Sequence, residues 1–327
     1  MGVTRGELQI IAIILFSFNS FLPLKAQTDS TALNFPDNTP LQAISTTYKT
    51  VHYKPHFIAG LPGKIKETSG LLYFNGQLWT HNDSGNPPEI YQIDSVNGNI
   101  LRTVVIRNSV NKDWEGMAQD DSNMYIGDFG NNSGDRKDLK ILKIAKSDLY
   151  NPVTDTVEAG YIHFFYPDQT FFTPAFNNND FDCEAFFFYN DSLHLFSKDW
   201  ADLQTRHYVV PAEPGWYKAR FVEQFQVDGL ITDATVNQDG NIILLGYKNT
   251  SGRSYICFAW LFSGYNDSEF FSGKRRRIEL GSALHLGQSE GIVLKNDYTG
   301  WISSESIQSG WLNEPAKLFR FDFGKYY

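Results

Sequence analysis

The sequence is poor in cysteine, with Cys183 and Cys257 its only two in 327 residues. Two cysteines cannot build a disulfide framework, and both stand in apolar runs, where a free thiol behaves as a small hydrophobe. Methionine is equally scarce, at three residues, and no segment carries a long helical apolar period, whereas aromatic residues make up 15%. That balance excludes a helical bundle and favours β-structure. Beyond the first 26 residues no apolar run is long enough to cross a bilayer, so no later membrane insertion is expected.

Positive charge is the next shortage. The chain has 28 Lys and Arg against 37 Asp and Glu, a formal net charge of −9. A chain this acidic repels phosphate backbones and anionic membrane surfaces, which argues against nucleic acid as a partner. Lys274-Arg275-Arg276-Arg277 is the one basic run and reads as a solvated strand end. Catalytic signatures are missing too: there is no G-x-S-x-G, no H-E-x-x-H, no P-loop and no contiguous calcium loop. Ser69 and Ser84 have acids nearby but no fixed histidine, and His81 lies too close in sequence to Ser84 for a triad.

Residues 1–26 read as a secretory signal. Arg5 and the amino terminus precede an apolar stretch from Leu8 to Leu24, and Ala26 supplies the small residue at the cleavage point. Asn19, Ser20 and Pro23 interrupt the stretch, which favours cleavage over anchoring, and no cysteine follows it for lipid attachment. The expected product is exported, periplasmic or extracellular. Residues 27–50 form an extension ahead of one domain over 51–327.

Inside that domain five segments share one pattern, a polar residue, a small one, then apolar ones. They open at Ser69, Glu115, Glu184, Asp233 and Glu290. Each is followed by a turn pair: Asn75-Gly76, Asp121-Ser122, Asn190-Asp191, Asp239-Gly240 and Asn296-Asp297. Such pairs tolerate positive φ and make tight hairpins. Second and third strands follow in every unit. Fourth strands are read at Leu101 to Ile106, Tyr161 to Tyr166, Tyr217 to Phe225 and Arg276 to Leu280.

The last unit lacks a fourth strand, and His56 to Ile65 reads as a strand with no partner. An N-terminal strand that completes the last unit closes a ring and removes two sheet edges. The fold expected is therefore an all-β propeller of five four-stranded blades. Six blades is the alternative, if the long interval between Glu115 and Glu184 hides another. Within that interval Thr170 to Asp180 reads as a surface loop.

In a propeller the first strand of each blade lines the channel, so Glu115, Glu184, Asp233 and Glu290 should converge on one mouth. Glu67, two residues before Ser69, should join them on the same side of the pleat. Second strands end at the same mouth with Asn82-Asp83, Asp128, Lys198, Lys248 and Glu305. Acids gathered this way need a cation, the lysines, or raised pKa values. Three readings stay open. A hard cation such as Ca²⁺ would take the five ring acids as ligands. Alternatively the carboxylates cap backbone N–H groups between blades, or they work as acids and bases. Asn82 to Asn86 and Gly127 to Asn132 are polar loops leaving second strands on this face, and Arg136 stands ready to pair with a ring acid.

Two stretches carry a resemblance. Glu67-Thr68-Ser69-Gly70-Leu71 with Asn82-Asp83-Ser84-Gly85, and Asp113-Trp114-Glu115-Gly116 with Gly127-Asp128-Phe129-Gly130-Asn131, are similar to TolB-like propellers. That superfamily includes SdiA-regulated proteins and phytase-like esterases. The resemblance implies six blades and, for the phytase-like branch, calcium-assisted hydrolysis of phosphate esters. From the residues, the expected function is binding of a small ligand or extracellular partner at the acidic mouth. The alternative is a metal-dependent hydrolase of phosphate or carboxylic esters, with a ring carboxylate as general base.

Overall fold

A computed structural model describes residues 50–150, 154–250, 255–309 and 312–327. The expected signal peptide and all but the last residue of the extension lie outside the described residues. None of the described helices is long and apolar enough to cross a membrane.

The chain folds as a five-bladed β-propeller. Blade 1 runs outward from the channel as Thr68–Phe74, Gln77–Asn82, Glu89–Ile93 and Ile100–Ile106. Blade 2 is Trp114–Gln119, Asn123–Asp128, Lys140–Ala145 and Gly160–Phe165; blade 3 is Cys183–Tyr189, Ser192–Ser197, Thr205–Pro211 and Arg220–Phe225. Blade 4 is Leu230–Val236, Ile242–Asn249, Tyr255–Ser263 and Lys274–Ser282. Blade 5 takes Ser289–Leu294, Thr299–Ser304 and Lys317–Asp322 from the C-terminus and His56–Gly60 from the N-terminal side. The ring thus closes as the sequence pattern requires, with His56–Gly60 antiparallel to the last long strand. Five blades, not six, are present.

Strand alternation explains the core. Leu71 packs toward blade 5 and its neighbour Leu72 toward blade 2. Each blade is covered on both faces, so its strands are apolar on both sides and five hydrophobic clusters fill the five gaps between blades. Both cysteines are free and buried within these clusters. The hairpins next to the channel are tight where positive φ is supplied, at Asn75 (51°), Asn190 (47°) and Asp191 (59°).

Three outer edges gain a short parallel fifth strand from the segment that leads to another blade's outer strand. Thr156–Val157 covers blade 1, Gly215–Lys218 covers blade 2 and Val51–His52 covers blade 4. This corrects the single strand expected from Tyr217 to Phe225. Its first part belongs to blade 2 and only Arg220–Phe225 belongs to blade 3. The chain changes sheets at buried Ala219, whose N–H bonds Phe165 O at 3.0 Å. Continuity of β-pattern in a sequence does not record which sheet accepts the hydrogen bonds. The basic run begins the outer strand of blade 4, with Lys274, Arg275 and Arg276 exposed and Arg277 buried over the Phe258 ring.

Candidate functional site

Every innermost strand carries a β-bulge near its start, at the mouth where second strands end. A bulge inserts one residue and re-aims the side chains beside it. Sheet register places Thr68, Trp114, Cys183, Leu230 and Ser289 at one level, opposite Asn82, Asp128, Ser197, Tyr247 and Ser304. Ser69, Glu115, Glu184 and Glu290 come next. In blade 4 that place belongs to Ile231, and Asp233 lies two residues deeper. The reason is a longer hairpin, closed by Asn237 N–H to Asn241 O at 3.0 Å, which shifts any count made backward from the turn.

The ring acids meet different environments. Glu184 forms a 3.0 Å ion pair with Lys198, and both side chains are sealed from solvent at 4% and 5% exposure. Burial alone would lower the Lys198 pKa, yet the surrounding acids, Glu184 foremost, hold it well above its usual value. Asp233 accepts the backbone N–H groups of Ile292 (2.7 Å) and Ala234 (2.8 Å), so it ties blade 4 to blade 5. Burial still drives its pKa well up, against the lowering effect of those backbone hydrogen bonds. Glu290 takes the side-chain amide of Gln288. Glu305 is pushed well up by burial and then by the charges of Glu290, Asp83 and Glu67.

Glu115 belongs to a cluster that sequence reading only half supplied. Its carboxylate gathers with those of Asp83 and Asp113, with one oxygen of each within 4.8 Å of the others. Ser69 Oγ donates to Glu115 Oε2 at 3.3 Å. Among the described residues none of the three has a Lys or Arg at ion-pair distance. Burial and then Asp113 push Asp83 up to about 8, burial and then Asp182 push Asp113 up to about 7, and burial, Glu184, Asp83 and Asp113 together hold Glu115 well above its usual range.

The backbone builds this cluster. Asn111 Nδ2 donates to the carbonyls of Asn82 and Asp83, both at 2.8 Å, and its Oδ1 accepts Trp114 N–H at 3.1 Å. That clip fixes the exit of blade 1 against the entry of blade 2, and so sets Asp83 beside Asp113. Gly130 closes the other side. A Cβ there would lie 2.4 Å from Glu115 Oε1 and 2.6 Å from Asp113 Oδ2, so a side chain at this position would push both carboxylates aside. Arg136 Nη1 donates to Gly130 O at 2.8 Å and holds it in place.

Other expected site residues serve the scaffold. Arg136 (2.9 Å) and Lys140 (2.6 Å) pair with buried Asp128, so Arg136 does not meet a ring acid. Lys248 pairs with Asp228 at 2.6 Å and leaves Lys198 as the cation of the ring. Asn82 spends its amide on Lys64 O and its carbonyl oxygen on Glu67 N–H. Glu67 is partly exposed at the rim, where Asn86 Nδ2 donates to it at 2.6 Å. Asp113, Asn111 and Gly130 were not singled out as ligands or positioners, although Asp113 and Gly130 stand in the quoted motifs. A second acidic trio, Asp180, Asp199 and Asp202, already holds the Arg206 guanidinium.

An all-oxygen set of three carboxylates suits a hard cation such as Ca²⁺, with waters or a ligand completing six to eight positions. Beside Asp113 opens a cavity of about 610 Å³, lined by Ser84, Lys112, Ser133, Arg136 and Lys137 among others. The opposite end of the channel is different: a cavity of about 90 Å³ lined largely by Leu72, Ala118, Phe187, Val236 and Val293.

No family model matches the chain, and no curated protein matches it. Solved structures share its general shape at low identity. A hypothetical protein from Leishmania major is 10% identical with a TM-score of 0.45, covering 83% of this chain and 92% of its own. The α-L-arabinofuranosidase of Podospora anserina is 10% identical at 0.41, covering 84% and 97%. A GH43 β-1,3-galactosidase is 12% identical at 0.42, covering 73% and 77%.

Proposed function

We propose that this chain is an exported binding propeller that holds a divalent cation, calcium by its donor set, at Asp83, Asp113 and Glu115. Its ligand is taken at the mouth around that cation. The observation that carries this reading is the trio itself: three converging carboxylates, no ion-pair partner among the described residues, and a glycine backbone pressed against two of them. Charges so placed repel unless a cation joins them or protons stay bound. Calcium at a hundredfold excess over its dissociation constant should stabilise the fold by about 2.7 kcal/mol, and EDTA should reverse it. Asp83→Asn with Glu115→Gln should abolish that response, and Gly130→Ala should weaken it by displacing Glu115. Identical melting curves in EDTA and Ca²⁺, with no heat of Ca²⁺ binding, would sink the reading. Export rests on the sequence of residues 1–26; N-terminal sequencing of secreted protein should begin at Gln27.

The cavity beside Asp113 favours a second reading, the metal-dependent ester hydrolase that the likeness to TolB-like and phytase-like propellers implies. Lys112, Arg136 and Lys137 line that cavity together with Asp113, Asp135 and Asp138, and Lys112 and Arg136 are paired to Asp138. An anionic phosphate or carboxylate ester would meet Lys137 there, beside the acidic trio. A bound cation would polarise the ester or activate water. A ring carboxylate that does not hold the cation would move the proton. Turnover of chromogenic phosphate or carboxylic esters that EDTA abolishes would favour the enzyme. Absence of turnover alongside calcium binding favours the binder.

A further inference from the structure

Blade 3 contains a buried hydrogen-bonded chain remote from the acidic trio. It begins at the Tyr189 carbonyl on the innermost strand and crosses His194 and His207 on the next two. It ends at Glu223 on the outer strand. The links are Tyr189 O to His194 Nε2 at 3.1 Å, His194 Nδ1 to His207 Nε2 at 2.9 Å, and His207 Nδ1 to Glu223 Oε1 at 3.4 Å. The imidazoles are buried, with Phe187 stacked on His194, and Phe196 and Phe270 on His207. Both Glu223 oxygens also accept Phe271 N–H at 3.2 Å. Glu223 thereby ties blade 3 to the Phe270–Ser272 turn that leads into the outer strand of blade 4.

Three hydrogen bonds need three protons, and two neutral imidazoles bring only two. A carbonyl can only accept, so His194 Nε2 carries its proton and leaves Nδ1 bare. His207 must then donate from Nε2, which leaves its own Nδ1 bare as well. The third proton therefore sits on Glu223 or turns an imidazole into a cation. Burial, reinforced by Arg220, opposes the cation and pushes both histidines down to about 3. Burial likewise pushes Glu223 up to about 7.

The other polar and charged groups around the chain leave this count unchanged. Tyr189 faces His194 from the innermost strand, and Tyr265 packs on Phe270 ahead of the turn. Arg275, on blade 4, lies over Phe225.

We propose that this chain is a proton-operated clasp. Protonated Glu223 joins His207 to the Phe270–Ser272 turn, and loss of that proton leaves two imidazole protons for three links, so one link of the chain opens. The fold holds a proton that the unfolded chain has already released, so the contribution is full in acid and lost as pH rises.

Glu223→Gln tests it, because a carboxamide both donates to His207 and accepts from Phe271 at any pH. Relative to that variant, wild type should lose stability as pH rises from about 4.3 through about 7. The loss reaches up to tenfold per pH unit in the folding constant, and the two proteins should run parallel above that window. Nitrogen-15 NMR of wild type at pH 6 should show both imidazoles neutral with the proton on Nε2. A wild-type offset from Glu223→Gln that is constant with pH would overturn the clasp. So would an Nδ1–H tautomer at His207 or imidazoles titrating near their ordinary value. The NMR arm needs no variant to fold.

Discussion

Blades 2 and 3 open their innermost strands alike, on Glu115-Gly116 and Glu184-Ala185, and the two glutamates meet opposite fates. Glu184 finds Lys198 within its own blade, delivered by the end of the second strand. In blade 2 the position aligned with Lys198 is Phe129, which packs into the gap between blades 2 and 3. Glu115 is left facing Asp83 and Asp113 instead. One repeat position thus yields a closed ion pair in one blade and, in the next, an acidic cluster with no ion-pair partner among the described residues. The deciding residue lies on the neighbouring strand, not beside the acid.

The comparison breaks most sharply at Lys198. Lys198→Met should cost about 3–5 kcal/mol, since it strands a buried carboxylate. Adding Glu184→Gln should recover much of that loss. Thermal or chemical denaturation reads both, and a Lys198→Met protein as stable as wild type would mean that Glu184 is not held by the pair. The matching change in blade 2, Glu115→Gln, should be neutral or stabilising without calcium, because it relieves repulsion.

Asp233 gives a third fate and a smaller effect. Asp233→Asn keeps the shape but turns an amide N–H toward donors, so one buried N–H loses its acceptor at about 1–3 kcal/mol. The calcium response should be unchanged. A calcium response lost in this variant, with the melt otherwise normal, would place Asp233 among the ligands after all.

The most gradual expected effect is electrostatic. Folding holds Asp83 and Asp113 above their unfolded pKa values, so in EDTA the folded state keeps protons that the unfolded chain releases. Their contribution is full below about pH 4 and drains as pH rises through about 7 and about 8. Solvent at the mouth keeps the slope to roughly 1 kcal/mol per pH unit or less. Calcium affinity should run the other way and strengthen over the same window as the ligands lose protons. A calcium affinity flat from pH 6 to 8 would contradict the raised values.

The five-fold repeat was legible because each blade buries its strands against two neighbours, which imposes the same polar, small, apolar order five times. Asp233 was misplaced because hairpin length changes between blades, and a count from the turn inherits that change. Gly215–Lys218 was misplaced because sheet membership is a matter of hydrogen bonding across long sequence separations. Glu115, Glu184 and Glu290 were found at the mouth for the same reason the fold was. Asp113 was missed because it precedes its strand and carries no periodic signal.

The sequence by itself therefore determined the propeller repeat, its closure by a strand that starts at His56, expected to run to Ile65 and ending at Gly60, and the clustering of acids at one mouth. All three follow from local period and from the need to bury both faces and cover edges. Only the tertiary structure decided which carboxylates pair, which cap backbone and which stand open. Those outcomes depend on contacts among Asp83, Asn111, Asp113, Gly130 and Lys198, which lie on different strands and loops, and Coulomb and hydrogen-bond energies act over ångströms in space rather than positions in a chain.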